Sequence, residues 1–189
     1  MLKKVGAAFV LLVAAVLGGA FLIPAKVEVS RSVTIAAAPE AVWPFLEDLR
    51  KFNEWQPWLS RDPNVVMEYG DATVGLGATY SWRSEQRNVG VGSMTITELE
   101  PMRRVRSHMV FEGQGEADAD LTLQADGSST TVTWTYFGDA GMNPIGRYFN
   151  LAMDGMLGGD FETGLRNLQG LLAAAPPPAS PAEGSAAVE

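Results

Sequence analysis

Between Asn64 and Phe137 the chain runs through six stretches in which polar and apolar residues alternate: VVMEY, ATYSWRS, VGVGSMTITELE, RRVRSHMVF, EADADLTLQ and TTVTWTYF. No other feature narrows the possible folds as much. The connections between them are short and rich in turn residues (GDATVGLG, EQRN, PM, EGQG, ADGSS). A parallel crossover takes a dozen residues or more, so these connections predict an antiparallel meander. The alternation also assigns faces, because successive strand side chains point to opposite sides of a sheet. Tyr80, Trp82 and Ser84 share one side, as do Val132, Trp134 and Tyr136; Ala117, Ala119, Leu121 and Leu123 oppose the wet set Glu116, Asp118 and Asp120. One face of the sheet is therefore apolar and strongly aromatic, and something must cover it.

Upstream, Val27 to Ile35 alternates as a further strand whose apolar side, Val27, Val29, Val33 and Ile35, contains one charged member, Arg31. The segment APEAVWPFLEDL reads as helix, with Pro39 in its first turn and Pro44 making it short and irregular. A second short helix is expected over about Arg50 to Trp55. Downstream, Phe149, Met153, Met156, Leu157, Phe161, Leu165, Leu168 and Leu172 recur at spacings of three and four, which predicts one long amphipathic helix within Asn143 to Leu172. It carries many glycines, each costing about 1 kcal/mol relative to alanine in a helix interior. They imply either a break near Gly158-Gly159 or a helix that leaves room beneath it. The order is strand, two short helices, six strands, long helix: an α+β domain over residues 27–172.

The two ends differ from this domain. After MLKK, the uncharged run Val5 to Ile23 reaches roughly 28 Å as a helix, close to the roughly 30 Å hydrocarbon thickness of a bilayer. Residues 1–26 thus read as a membrane anchor. A cleaved signal peptide competes with that reading, since Lys3 and Lys4 form a positive flank. The only small-x-small site near the end, Gly18-Gly19-Ala20, is followed by more apolar residues, which favours the anchor. Lys3 and Lys4 place the N-terminus on the cytoplasmic side and the domain on the other, a preference weakened by Lys26 and Arg31. Residues 173–189, rich in Pro, Ala and Ser, read as a disordered tail.

Composition removes several function classes. A net charge of -8 with 14 basic residues argues against a surface that tracks nucleic-acid phosphates. With no cysteine and a single histidine, His108, neither a thiolate site nor a metal centre built on several imidazoles is available, and no metal or cofactor is expected. His108 alternates with Arg104 and Arg106, so a three-residue loop Glu112 to Gln114 would set Arg106 opposite Asp120 and His108 opposite Asp118 as an outward charge ladder. A register slip of one residue would instead turn His108 inward as part of an acid/base dyad. Arg31 suits a ligand carboxylate or a core acid, or a strand end that snorkels to water. Asp160, Glu162 and Arg166 read as surface charges, the last two as an i,i+4 pair. The GLG, GVG and GQG triplets join strands rather than opening a helix, so they read as turns and bulges, not phosphate loops.

The aromatic set gives the domain its functional character. Tyr80, Trp82, Trp134 and Tyr136 fit either plain core or the lining of a pocket; their hydroxyls need partners, and Met153 and Met156 on the covering helix adapt to varied shapes. Trp55 and Trp58 flank Pro57 in a polar loop and are expected to bury their rings at the mouth of that pocket.

The segments VTIAAAPEAVWPFLEDLRKFNEWQPW, TYSWRSEQRNVGVGSMTITELEP, TTVTWTYFGD and DFETGLRNLQGLL, in this order, resemble the START-like, or SRPBCC, superfamily, and most closely its bacterial polyketide cyclase/dehydrase and lipid transport branch. The resemblance spans Val27 to Leu172. It implies a helix-grip fold, a curved antiparallel seven-stranded sheet around the long C-terminal helix, enclosing a hydrophobic ligand cavity. The expectation is membrane-tethered binding of a hydrophobic small molecule or lipid, lined by Trp55, Trp58, Tyr80, Trp82, Trp134, Tyr136, Met153 and Met156. The alternative is a cyclase or dehydratase acting on a polyketide-like substrate in the same cavity.

Overall fold

The structure, a computed structural model, describes residues 2–174. Seven antiparallel strands form one sheet: β1 (Lys26–Ile35), β2 (Val66–Tyr69), β3 (Thr79–Arg83), β4 (Val91–Glu100), β5 (Arg104–Phe111), β6 (Gly115–Asp126) and β7 (Ser129–Asp139), in spatial order β1-β7-β6-β5-β4-β3-β2. The six downstream strands are a meander, as their short connections require. The first strand closes onto the last, running from Lys26 opposite Asp139 to Ile35 opposite Thr130. On the outer face this pair is laced by hydroxyls, Ser30 to Thr135 at 3.0 Å, Ser32 to Thr133 at 2.9 Å and Thr34 to Thr131 at 3.0 Å. A bulge between Ile96 and Glu98 shifts the β4–β5 register. The expected turn glycines Gly75, Gly90 and Gly113 all have positive φ.

Two layers cover the inner face. The region APEAVWPFLEDL splits into α2 (Pro39–Val42) and α3 (Pro44–Glu47), because Pro44 has no N–H to continue the first helix. Then α4 (Leu49–Trp55) starts at Asp48, whose carboxylate caps the Arg50 amide at 2.9 Å, and buries Leu49, Phe52 and Trp55. The long helical region is two helices, α5 (Pro144–Asn150) and α6 (Met153–Ala174). Of the two alternatives for the glycines, a break near Gly158-Gly159 is not the one seen, since α6 runs through both; the chain turns at Leu151-Ala152 instead. Asn150 is the cause, since its amide donates to the carbonyls of Pro24 and Ala25 and holds α5 against the chain entering β1.

Gly158 stays inside α6 for another reason. A Cβ there would stand 2.1 Å from the Arg31 guanidinium, so glycine allows helix and strand to approach. At Gly164 a Cβ would meet Trp134 at 3.0 Å and Pro57 at 3.3 Å. These glycines bring α6 onto the sheet; they do not hold it away. Inward, α6 buries Phe161, Leu165 and Leu168, with Phe161 stacked on Trp134 at 4.2 Å between ring centroids.

At the N-terminal end, α1 (Leu2–Gly19) continues through a 3-10 turn, Ala20–Leu22. The window Lys4–Leu22 has a mean hydropathy of 2.5 and is almost wholly exposed, so this helix is long and apolar enough to cross a membrane. At the other end α6 includes Ala173 and Ala174, which the sequence put in a disordered tail; the rest of that tail lies outside the described residues.

Candidate functional site

A cavity of about 220 Å³ opens between the inner face of β3 to β7 and the segment running from α3 to Leu59. Its position follows from the sheet floor. Ser107 on β5 stands directly opposite Ala119 on β6, and Met109 opposite Ala117. Small side chains at the centre of a concave sheet leave a volume that Tyr80, Trp82, Met94, Phe111 and Leu121 enclose from the sides. Leu46, Phe52, Gln56, Trp58 and Leu59 roof it, and Leu157 is the one contribution of α6. The rim, at the β3–β4 and β5–β6 hairpins, carries Arg87, Asn88 and Gln114.

Four of the expected lining residues meet there: Trp58, Tyr80, Trp82 and Trp134. Trp82 lies across Gly92, where a Cβ would fall 2.5 Å from its ring, and donates to the Val89 carbonyl at 3.1 Å. Trp58 closes the roof edge-on to Trp134, with its indole N–H donating to Asp160 at 3.0 Å. Asp160 also pairs with Arg61, so it is a fastening for the roof rather than a free surface charge.

The other four are elsewhere. Trp55 is wholly buried in the core behind the cavity wall, donating to the Phe45 carbonyl at 2.9 Å and packing edge-on to Phe52 and Trp134. It needs no cavity mouth because α4 gives it a helix face. Tyr136 is half-buried over Gly138 and Val27, outside the lining. Met153 and Met156 do not reach the cavity, and Met156 is exposed. The inward stripe of α6 runs Leu157, Phe161, Leu165, Leu168, and Met156 stands about 100° around the helix from Leu157.

Ser107, Met109, Phe111, Ala119 and Leu121 were not singled out as lining, yet their signal was in the alternation. RVRSHMVF and EADADLTL put each of them on the inner face; what distinguishes Ser107 and Ala119 is small size at a position that otherwise takes a large residue.

Two polar groups face the apolar hollow without a protein partner. Tyr80 is 7% exposed and Ser107 likewise, and neither hydroxyl makes a hydrogen bond among the described residues. Burial, and then the neighbouring Tyr69, push the Tyr80 phenol well above its usual range, so it is a neutral donor. Burial also raises Tyr136.

The remaining charged candidates lie outside the cavity. Arg31 is clamped by α6: its guanidinium binds Asp154 at 2.9 and 3.1 Å and Glu162 at 2.9 Å. Hydrogen bonding to Asp154 and Glu162 raises the Arg31 pKa, and hydrogen bonding to Arg31 holds Asp154 below the usual carboxylate value. Glu162 is thus taken by Arg31 and not by Arg166, which donates to Thr163. On the outer face Arg106 stands opposite Asp120 at 2.9 Å, and His108 opposite Asp118 at 2.9 Å, as the outward ladder required. Among the described residues no cluster of three or more His, Asp or Glu side chains is placed to hold a metal.

The family model described as polyketide cyclase / dehydrase and lipid transport matches residues 26–173. Solved structures share the fold at low identity. A Mesorhizobium loti protein is 16% identical with a TM-score of 0.57, over 79% of this chain and 98% of its own. A Staphylococcus aureus protein of unknown function is 13% identical with a TM-score of 0.58, over 78% and 94%. A protein of the dynemicin biosynthetic locus is 20% identical with a TM-score of 0.54, over 78% of this chain, which spans about half (47%) of that longer one. No curated protein sequence matches significantly.

Proposed function

We propose that this chain, which belongs to the polyketide cyclase / dehydrase and lipid transport family, is a membrane-tethered binding module for a small hydrophobic molecule or part of a lipid. One observation carries the reading: an apolar hollow with a floor of small residues and two unengaged hydroxyls, Tyr80 and Ser107. An apolar volume forfeits dispersion contacts that a guest restores, and a hydroxyl that faces it without a protein partner gains a hydrogen bond from a polar guest. Size narrows the guest. A cavity of about 150 Å³ holds benzene, so 220 Å³ suits one or two rings, or a short acyl segment, with one hydrogen-bonding group. A longer chain requires Trp58 and Leu59 to move aside.

The cyclase or dehydratase alternative finds less support. Among the described residues no carboxylate or imidazole lines the cavity, and His108 is on the opposite face of the sheet. Tethering rests on the apolar α1, with Lys3 and Lys4 favouring a domain on the non-cytoplasmic side.

The test is native mass spectrometry of the detergent-extracted protein purified without added ligand, beside Ala119→Phe, which fills the floor. The wild type is expected to carry an additional small apolar mass that the variant, still folded by its melting curve, has lost. An empty wild type that gains no thermal stability from short fatty acids or bicyclic aromatics contradicts the reading.

A further inference from the structure

The short helix α5 lies beside the base of α1, and its unpartnered face is apolar. Ile145 and Phe149, one turn apart, are 63% and 57% exposed, and Leu151 and Met142 flank them, also exposed. Its other face is committed to the end of the apolar N-terminal helix and the chain that follows it, through Tyr148, Arg147 and Asn150. The Tyr148 hydroxyl donates to the Val16 carbonyl at 2.7 Å; Arg147 donates to the Ile23 carbonyl at 2.8 Å and lies over the Phe21 ring. We infer that α5 is an interfacial helix that sinks Ile145, Phe149 and Leu151 into the bilayer surface from which α1 emerges. The inference rests on the tethered reading above.

Depth supports a lipid surface as the occupant. Val16 precedes Leu22, the end of the apolar window, by six residues, about 9 Å along a helix. An interfacial helix buries its apolar face about 5–10 Å into the boundary between headgroups and acyl chains. Arg147 at Ile23 and Asn150 at Pro24 and Ala25 hold α5 itself beside the end of that window, while the Tyr148 side chain reaches down to Val16, so the helix lies at that boundary. Charge agrees: in a chain of net charge -8, the stretch from Ala140 to Met153 has no acid and one base, Arg147. The acids that flank the stretch are both engaged: Asp139 accepts from the Gly141 amide at 2.8 Å, and Asp154 is paired with Arg31. Basic Arg147, held at Ile23, is a residue type that anchors helices at the interface.

The docking orients the cavity. Lys26 pairs with Asp139, Gly138 with Ala117, Gly115 with Phe111, and Phe111 with Gly92, so the start of β1 and the β3–β4 and β5–β6 hairpins share one end of the sheet. That end carries the rim residues Arg87, Asn88 and Gln114. With α5 in the interface, the rim is on the membrane side of the domain, where a guest can pass between bilayer and cavity.

Because the chain has no cysteine, single labels report without background. The full chain is placed in phosphatidylcholine vesicles with an environment-sensitive fluorophore at Phe149→Cys, Ile145→Cys, Leu11→Cys or Met102→Cys. Met102 is on the β4–β5 turn, at the other end of the sheet. Labels at Phe149 and Ile145 are expected to lose most of their emission to lipids carrying a shallow nitroxide, and to resist aqueous iodide; the Met102 label is expected to do the reverse. A Leu11 label quenched by lipid while Phe149 and Ile145 behave like Met102 overturns the docking and leaves the tether standing. A Leu11 label open to iodide overturns the tether, and the docking with it.

Discussion

At the scale of single residues, the hydroxyl of Tyr80 separates a cavity that recognises something from one that is merely unfilled. It is neutral, it belongs to a buried ring, and it makes no hydrogen bond among the described residues. Removing it by Tyr80→Phe keeps the ring contacts with Tyr69 and Trp82 and is expected to leave the melting temperature unchanged or slightly raised. Affinity for a guest with a polar group should fall by about 0.5–1.5 kcal/mol, the net worth of one hydrogen bond, while affinity for a plain hydrocarbon of the same size should not. Calorimetric titration of both guests checks this; an equal loss for both means that the hydroxyl does not orient the guest. Neighbouring glycines give a second residue-scale outcome, with different sizes. Gly158→Ala pushes a methyl group into the far end of the Arg31 side chain, which must swing aside and lose its ion pairs, so the helix-propensity gain of alanine is expected to be largely cancelled. Gly159→Ala meets open space and is expected to stabilise α6 by up to about 1 kcal/mol. Thermal or urea unfolding reads both, and equal effects would remove the close-approach role given to Gly158.

At the scale of elements, α6 is fixed to β1 by one buttress of charge, Arg31 between Asp154 and Glu162. The Asp154 carboxyl is held below its ordinary value of 3.8 by hydrogen bonding to Arg31. A group whose folded pKa is depressed contributes stability that is fully present above the unfolded value and is lost as the pH falls through the folded one. Wild type is therefore expected to exceed Asp154→Asn in stability by a constant margin above about pH 5, a margin that shrinks as acidification passes below 3.8. Unfolding curves of both proteins across that range check it. A margin that grows on acidification would mean that Asp154 is not the partner that matters. The exposure of both acids keeps the margin small, since exposed pairs are well screened. Two short elements are set by single residues in the same way: Pro44 divides α2 from α3, and Asn150 divides α5 from α6.

At the scale of the whole molecule, the meander and its apolar face were legible because strand alternation is local. Each of RVRSHMVF and EADADLTL states its own in-and-out pattern, and the hairpin length between them settled that His108 meets Asp118 on the outside. The pairing of β1 with β7 joins residues about a hundred positions apart, and no local pattern records it. The site was half legible for the same reason. Trp82 and Trp134 were assigned by alternation, but which helix residue faces the hollow depends on how α6 rotates against β1, and Arg31 in the Gly158 notch sets that rotation. Spacing alone therefore misplaced Met153 and Met156, and a loop reading misplaced Trp55, which α4 carries into the core. The glycines of α6 suggest a break or a gap by their number alone, whereas α6 is unbroken and the gap comes from Ser107 and Ala119 on the sheet.

Methionine methyl groups offer the most direct test of a guest in that gap, because Met94 and Met109 line it while Met102 and Met142 are exposed and outside its lining. Spectra of the methyl-labelled protein are recorded as a short fatty acid or a bicyclic aromatic is added. The account predicts saturable shifts of the Met94 and Met109 methyls with those of Met102 and Met142 unmoved. Methyls of Met94 and Met109 that stay fixed up to the solubility limit of both compounds would contradict it.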